Sequence, residues 1–358
     1  MKKFISCFAI VVVLLACSKQ ESVVPSDQES AAGQTLKGKP GGGGGGGGSY
    51  SPTVTTGNPY NLSIFSATVD GSVSKSGGGS NTTEKGVCFS TSPGPTTANN
   101  KTVGNPSSGT GGFFSKLPGL SPNTLYYARA YATNGSVTVY GNEVNFTTLA
   151  ASFGFYGTVT DFDGNIYDAY TIGTQVWMVD NLKTTHYRDG SPIENFAGDW
   201  SSITSGAYCD YNNDPSNSAV YGRLYNWYAV NDSRNLAPAG YHVATGDDWT
   251  TLLAYFGGAS VAAGNLKESG TTHWLDPNLA YPNESNFNAL PGGYRTATTF
   301  TQLGARGSWW SSTGINTETA KYCRMHYFEI STYGSFGVGD IYGLTDKHHG
   351  YSVLCVKD

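Results

Sequence analysis

Charge is what this sequence has least of. Only 13% of its 358 residues are Asp, Glu, Lys or Arg, so solubility falls to uncharged polar side chains. The formal charge is −5 and the lysines and arginines form no cluster. Phosphate binding needs a concentrated basic face, so a nucleic-acid partner is excluded. No apolar run reaches the ~20 residues of a membrane-crossing helix. The serine-hydrolase elbow G-x-S-x-G and the zinc-helix pattern H-E-x-x-H are both missing. Glycine (48) and tyrosine (24) are abundant instead, a composition that favours a β-rich, loop-rich protein over a helical bundle.

Residues 1–16 read as a leader. Lys2 and Lys3 are its positive end, and Phe4 to Leu15 is nearly unbroken apolar chain, too short to span a bilayer. Leu14-Leu15-Ala16-Cys17 resembles the bacterial lipoprotein box. That resemblance implies cleavage before Cys17, lipidation of its thiol and stable anchoring by more than one acyl chain. Loss of the leader lysines brings the charge to about −7. Residues 17–49 form a linker rich in Ser, Gln, Glu and Lys that closes on Gly41 to Gly48. It can bury no core, and its r.m.s. span is roughly 30 Å. The glycine run matches phosphate-loop patterns trivially, with no strand before it and no helix after it. The expected address is the bacterial cell envelope, as an outer-membrane lipoprotein on its periplasmic or its external face; the single acidic residue between Ser18 and Ser22, Glu21, is the one local feature that favours export to the outer face.

Residues 50–150 alternate apolar and polar positions over Leu62–Val69, Gly86–Thr91, Leu125–Thr133 and Val137–Phe146, with Gly, Ser, Pro and Asn between. This spacing predicts an all-β module. Tyr126, Ala128, Ala130 and Ala132 should point inward. The stretch Leu120-Ser121-Pro122-Asn123-Thr124-Leu125-Tyr126 and the strand after it resemble a fibronectin type III domain, with Tyr126 at the place of a tyrosine corner. Such a module implies a spacer or a binding surface. Cys88 is expected to be a buried small apolar residue.

Residues 155–358 hold every tryptophan and histidine. Tyr156 to Leu182 reads as strands around an Asp-Gly turn. Asn235 to Trp249 reads as strand, turn and helix start, with Thr245 and Asp248 spaced as a capping box. Leu252, Leu253 and Phe256 should face a core, and His242 should face away from Tyr241 and Val243. Farther on come Tyr221-Gly222-Arg223-Leu224-Tyr225-Asn226-Trp227, Ala289-Leu290-Pro291-Gly292-Gly293-Tyr294-Arg295, Trp309-Trp310-Ser311-Ser312 and Tyr351-Ser352-Val353-Leu354-Cys355. In this order the motifs resemble the Fibrobacter succinogenes major paralogous domain. The resemblance implies an α+β C-type-lectin-like fold, exported or surface proteins, and no settled activity. The expected fold class is therefore multidomain, a fibronectin-like β-sandwich followed by that head. Tyr241, Ala244, Asp248 and Ala237 stand where the family commonly has Trp, Pro, Glu and Cys. The resemblance also implies a bridge from Cys355. With Ala237 unable to serve, Cys209 or Cys323 is the partner, and Cys209 is preferred.

The candidate ligand site is the aromatic loop. Trp274, Tyr281, Tyr294, Trp309 and Trp310 lie among Asp276, Asn278, Asn283, Glu284, Asn286 and Arg295. Sugars offer C–H faces to rings and hydroxyls to amides and carboxylates. One of the adjacent Trp309 and Trp310 should be buried and the other exposed. Packing is the competing reading of these rings. Asp161-Phe162-Asp163-Gly164-Asn165 is a turn rather than a calcium loop, because the twelfth position is Ile172. Asp276-Pro277-Asn278 resembles the Glu-Pro-Asn calcium element of sugar-binding lectins; no metal or other cofactor is assigned. His348 and His349 are adjacent and cannot share one metal on a strand. Asp276 with Glu284 is an arbitrary choice of glycosidase pair. An enzyme of the formylglycine-generating type needs paired reactive cysteines, and no tight Cys or His spacing supplies them. The expected function is non-catalytic binding of a glycan or surface protein, with an assembly or structural subunit as the alternative.

Overall fold

The computed structural model describes residues 52–74, 82–134, 137–280, 284–328 and 342–358. The leader, Cys17 and the linker lie outside the described residues, as do Tyr281 and Asn283.

Period-two alternation builds the first part. β1 (Thr53–Tyr60), β2 (Ala67–Ser74), β3 (Glu84–Ser90), β4 (Asn100–Val103), β5 (Gly111–Leu117), β6 (Leu125–Thr133) and β7 (Thr138–Thr147) form two antiparallel sheets, β1-β2-β5 and β4-β3-β6-β7. Ala67, Val69, Val73, Phe113 and Leu117 of one sheet meet Val87, Tyr126, Ala128, Ala130 and Ala132 of the other. The inward set expected on β6 is thus buried. The Ser121 N–H donates to the Tyr126 hydroxyl at 3.0 Å, tying the turn before β6 to the strand. Cys88 is fully buried, its thiol near the Pro95 and Arg129 carbonyls, and burial pushes it up to about 11.

The second part carries β8 (Phe153–Thr160), β9 (Ile166–Ile172), β10 (Gln175–Met178), β11 (Glu194–Asn195), β12 (Ala207–Cys209), α1 (Pro215–Tyr221), β13 (Leu224–Tyr225), α2 (Trp227–Val230), β14 (Tyr241–Val243) and α3 (Gly246–Tyr255). Then follow α4 (Ala259–Leu266), β15 (Gly292–Arg295), β16 (Phe300–Leu303), β17 (Arg306–Gly314), β18 (Thr319–His326), β19 (Tyr342–Asp346) and β20 (Cys355–Lys357). A central sheet runs β14-β20-β10-β9-β8, and a second runs β16-β15-β17-β18-β19. The architecture is β-rich and multi-sheet, with short helices.

The central sheet separates two cores. Tyr167, Ala169, Met178, Tyr241, Val243 and Cys355 enter one. Ile172, Trp177 and Val356 enter the other, with Trp249, Leu252, Leu253 and Phe256 of the α3 segment. The capping box at α3 is complete: Thr245 Oγ1 accepts from the Asp248 N–H, and the Asp248 carboxylate accepts from the Thr245 N–H. His242 lies on the opposite face from Tyr241 and Val243, where it meets Asp248 at 3.0 Å and Asp358 at 2.9 Å. Burial lowers the His242 pKa, but hydrogen bonds to Asp358 and Asp248 outweigh it and leave the pKa raised. Burial raises the Asp248 pKa, and its bonds to Thr245 and His242 bring it below the usual carboxylate value.

The loop between β1 and β2 departs from expectation. Residues 62–66 are not strand. Ser63 Oγ accepts from the Phe65 and Ser66 N–H groups and curls the chain into a turn. Ile64 is thereby delivered, fully buried, into the core beneath α3. Around it Phe65 and Phe153 both stack on Phe256. Lys116 Nζ donates to the Gly257 carbonyl at 2.6 Å, and the Tyr255 hydroxyl accepts from Ser152 N–H at 2.6 Å. The two β-rich parts share this seam.

The tryptophans tie separate stretches of this part together. Trp200, Trp227, Trp274 and Trp310 donate their indole N–H groups to the carbonyls of Phe196, Ser311, Ala289 and Tyr225, at 2.7–3.1 Å. Trp309 donates to Asn181 Oδ1 at 2.7 Å, and Trp177 to Gln175 Oε1 at 3.2 Å. Each of these six rings supplies apolar area, and its single polar atom satisfies an acceptor on another stretch of chain or beside it; the buried Trp249 indole N–H has no partner among the described residues. Buried cations serve similarly. Arg295 lies over Trp200 at 4.3 Å and donates to the Phe196, Gly198 and Ala297 carbonyls.

Ile64→Ala leaves a cavity in the seam and is expected to cost about 2–4 kcal/mol, with a lowered melting temperature by calorimetry. Trp309→Phe strips the donor from buried Asn181 and is expected to cost about 2–4 kcal/mol in urea unfolding. The raised His242 pKa stabilises fully below 6.5, and this is lost as pH rises through the folded-state value. The lowered Asp248 pKa stabilises fully above 3.8, and this is lost as pH falls through the folded-state value. The stability margin over His242→Gln should therefore be widest between those two pH values, read from urea midpoints.

Candidate functional site

Alternation along β9 sets the floor of the site. Tyr167 and Ala169 turn into one core, so Asp168 and Tyr170 turn to the other face of the central sheet. On that face Tyr170 is half-buried, and Asp168 is exposed where the core ends. Val179, Asp180, Asn181 and Lys183, which follow β10, run alongside. Val220 of α1 and the loop residues Glu268, His273, Asn286, Asn288 and Leu290 complete a groove of 310 Å³.

Its polar groups are fixed by their neighbours. Asn181 is buried, accepts from the Trp309 indole and donates to the Tyr221 carbonyl at 2.8 Å. Asp180 Oδ2 accepts from the Asp168 N–H at 2.9 Å. Lys183 Nζ donates to the Ala219 carbonyl at 3.0 Å. His273 Nδ1 lies 2.9 and 3.0 Å from the two Glu268 carboxylate oxygens. The Tyr221 ring meets His273 edge-on; burial, then the nearby Glu268 charge, raises its hydroxyl pKa. Asn286 and Asn288 sit at φ 55 and 46, a left-handed conformation that asparagine tolerates better than most residues.

An aromatic platform adjoins the groove. Phe155 pairs with Tyr170 across β8 and β9, and the rings meet edge to face at 5.4 Å. Phe155 is 59% exposed. The site therefore offers an apolar ring face beside carboxylates and amides.

This is not the constellation expected from the loop. Trp274, Trp309, Trp310 and Arg295 are all at most 2% exposed. Trp309 and Trp310 do point to opposite faces of β17, but β17 is an inner strand and each face has its own core. Both rings are consumed by packing. Asp276 and Glu284 are exposed and do not line the groove. Asn278 is half-buried and donates to the Glu268 and Gly270 carbonyls. Among the described members of that set, Asn286 alone lines the groove. Phe155, Tyr170, Asp168 and Asp180 were missed. The Phe153-Gly154-Phe155-Tyr156-Gly157 run, aromatics spaced by glycine just before the Asp-Gly turn, was the available signal.

The expected bridge does not form. Cys209 and Cys355 are free, buried thiols in separate apolar clusters, one beside Trp200 and Leu224, the other beside Met178 and Tyr241. Burial pushes Cys209 up to about 11 and raises Cys323 and Cys355 further. The Asp161–Asn165 turn spends its carboxylates internally. Asp161 accepts from the Asn165 N–H and side-chain amide and from the Tyr167 hydroxyl. Asp163 accepts from Thr184 and Thr185 and meets His186. Among the described residues, no group of three or more His, Cys, Asp or Glu could hold a metal ion.

No curated protein matches the chain. Among solved structures, the sensor domain of the anti-sigma factor RsgI4 in Pseudobacteroides cellulosolvens aligns at 19% identity over 28% of this chain and 95% of that one. Its TM-score of 0.21 is too low to carry a fold assignment. The family model of the Fibrobacter succinogenes major domain matches residues 171–357, which span the second sheet, both tryptophan-rich cores and most of the groove. The chain belongs to the Fibrobacter succinogenes major domain family.

Proposed function

We propose that this chain is a lipid-anchored cell-envelope protein that binds a glycan in the groove beside β9. Cys17 is the acylation site, and residues 17–49 form the tether. The first β-rich part is a fibronectin type III-like sandwich that acts as a spacer. The Ser121–Tyr126 hydrogen bond at its corner supports that reading. The second part is a C-type-lectin-like head, carried by the lipid anchor on the outer membrane.

One observation carries the proposal: the exposed Phe155 ring packs against Tyr170, which lines a groove with Asp168, Asp180, Asn286 and Asn288. Pyranose rings stack through C–H faces, and their hydroxyls need acceptors and donors alongside. A non-catalytic role agrees with the late cysteines, whose burial keeps the thiols neutral. The alternative, an assembly subunit with a protein partner, draws on the exposed Tyr156, Phe162 and Ile166 around the β8–β9 hairpin.

The test is a glycan array probed with the detergent-solubilised full chain, with and without calcium. Binding is expected to fall roughly tenfold in Phe155→Ala, with an unchanged circular dichroism spectrum. Undiminished binding by that variant, or a chain that captures no saccharide, would reject the groove as a glycan site.

A further inference from the structure

We propose that the groove selects saccharides that carry a protonated amine, an inference that rests on the glycan reading above. Three carboxylates line it, from Asp168, Asp180 and Glu268, against one ammonium, that of Lys183. Lys183 donates to the Ala219 carbonyl, and His273 is paired with Glu268. The Asp168 and Asp180 charges are therefore left to a ligand. Among the described residues no donor meets the Asp168 carboxylate, while Asp180 Oδ2 closes on the Asp168 backbone. The two carboxylates are drawn to one end of the groove by that bond.

Their placement fits an amino sugar. Asp168 and Tyr170 are two residues apart on the same face of β9, about 7 Å along the strand. That is close to the width of one pyranose ring. A ring stacked on the exposed face of Phe155, beside the Tyr170 edge, would present a ring substituent to Asp168. A hydroxyl there leaves a desolvated carboxylate with one weak partner, whereas an ammonium neutralises it and donates up to three hydrogen bonds. An anionic sugar meets like charge and is repelled. The choice of saccharide over a lysine-bearing peptide follows from the exposed Phe155 ring face beside the charges.

The experiment titrates the full chain in detergent with hexamers of glucosamine, N-acetylglucosamine and glucose, and with an oligolysine peptide, by calorimetry at pH 5.5 and two salt concentrations. Glucosamine hexamer is expected to bind at least tenfold tighter than the N-acetylated hexamer, an advantage that narrows as salt rises. In Asp168→Asn/Asp180→Asn the ratio between the two hexamers should fall below about threefold, with the melting temperature held as a check on folding. Equal affinity for charged and neutral hexamers overturns the amine selection and leaves the glycan reading standing. Tighter binding of oligolysine than of any hexamer overturns the amino-sugar assignment. Failure of every hexamer overturns both readings.

Discussion

A buried indole N–H that reaches across to another segment is the contact on which the second part of this chain depends. The head is mostly irregular backbone, and each buried carbonyl in it needs a donor. Charged residues are few, so tryptophan supplies the donors along with the apolar mass. Trp310 reaches the Tyr225 carbonyl, Trp227 reaches Ser311, Trp274 reaches Ala289 and Trp200 reaches Phe196. Each such bond joins two segments while the ring fills a core. The same logic explains a cation such as Arg295, held by ring faces and carbonyls with no carboxylate among its bonds.

The groove inherits its rigidity from this arrangement. Asn181, part of its lining, is held from below by Trp309 and from the side by the Tyr221 carbonyl. β9 supplies Asp168 and Tyr170 at positions fixed by pairing on both edges, with β8 and β10. The opposite wall comes from the loop between α4 and β15, where Trp274 bonds the Ala289 carbonyl and so anchors the residues around Asn288 and Leu290. Packing thus presents the site without supplying its contact surface.

Local features of this fold were legible in the sequence, and the features decided at a distance were not. The Thr245–Asp248 capping box needs only residues three apart, and it formed as read. The inward set on β6 follows from alternation alone. The opposite orientation of Trp309 and Trp310 was also legible, yet its meaning was not, because burial on both sides requires knowing that β17 is an inner strand. Ile64 lies in an apolar run that reads as strand, but Ser63 bends the chain and the core beneath α3 claims the side chain. The cysteine pairing carried over from the resemblance failed because Cys209 and Cys355 belong to different clusters. Phe155 escaped notice because its exposure is set by the edge position of β8: the aromatic-glycine run marks the residue, and only the strand order leaves its ring uncovered.

The aromatic rings of the loop region hold the fold, and the proposed ligand surface lies elsewhere, at Phe155 and Tyr170. Hydrogen exchange of the indole N–H groups, followed by nuclear magnetic resonance on protein labelled at the indole nitrogen, tests it most directly. The Trp274, Trp309 and Trp310 signals should exchange at rates that track global unfolding, and a bound saccharide should leave them in place. Exchange of those three within seconds, or large shifts confined to them when saccharide is added, would contradict the claim.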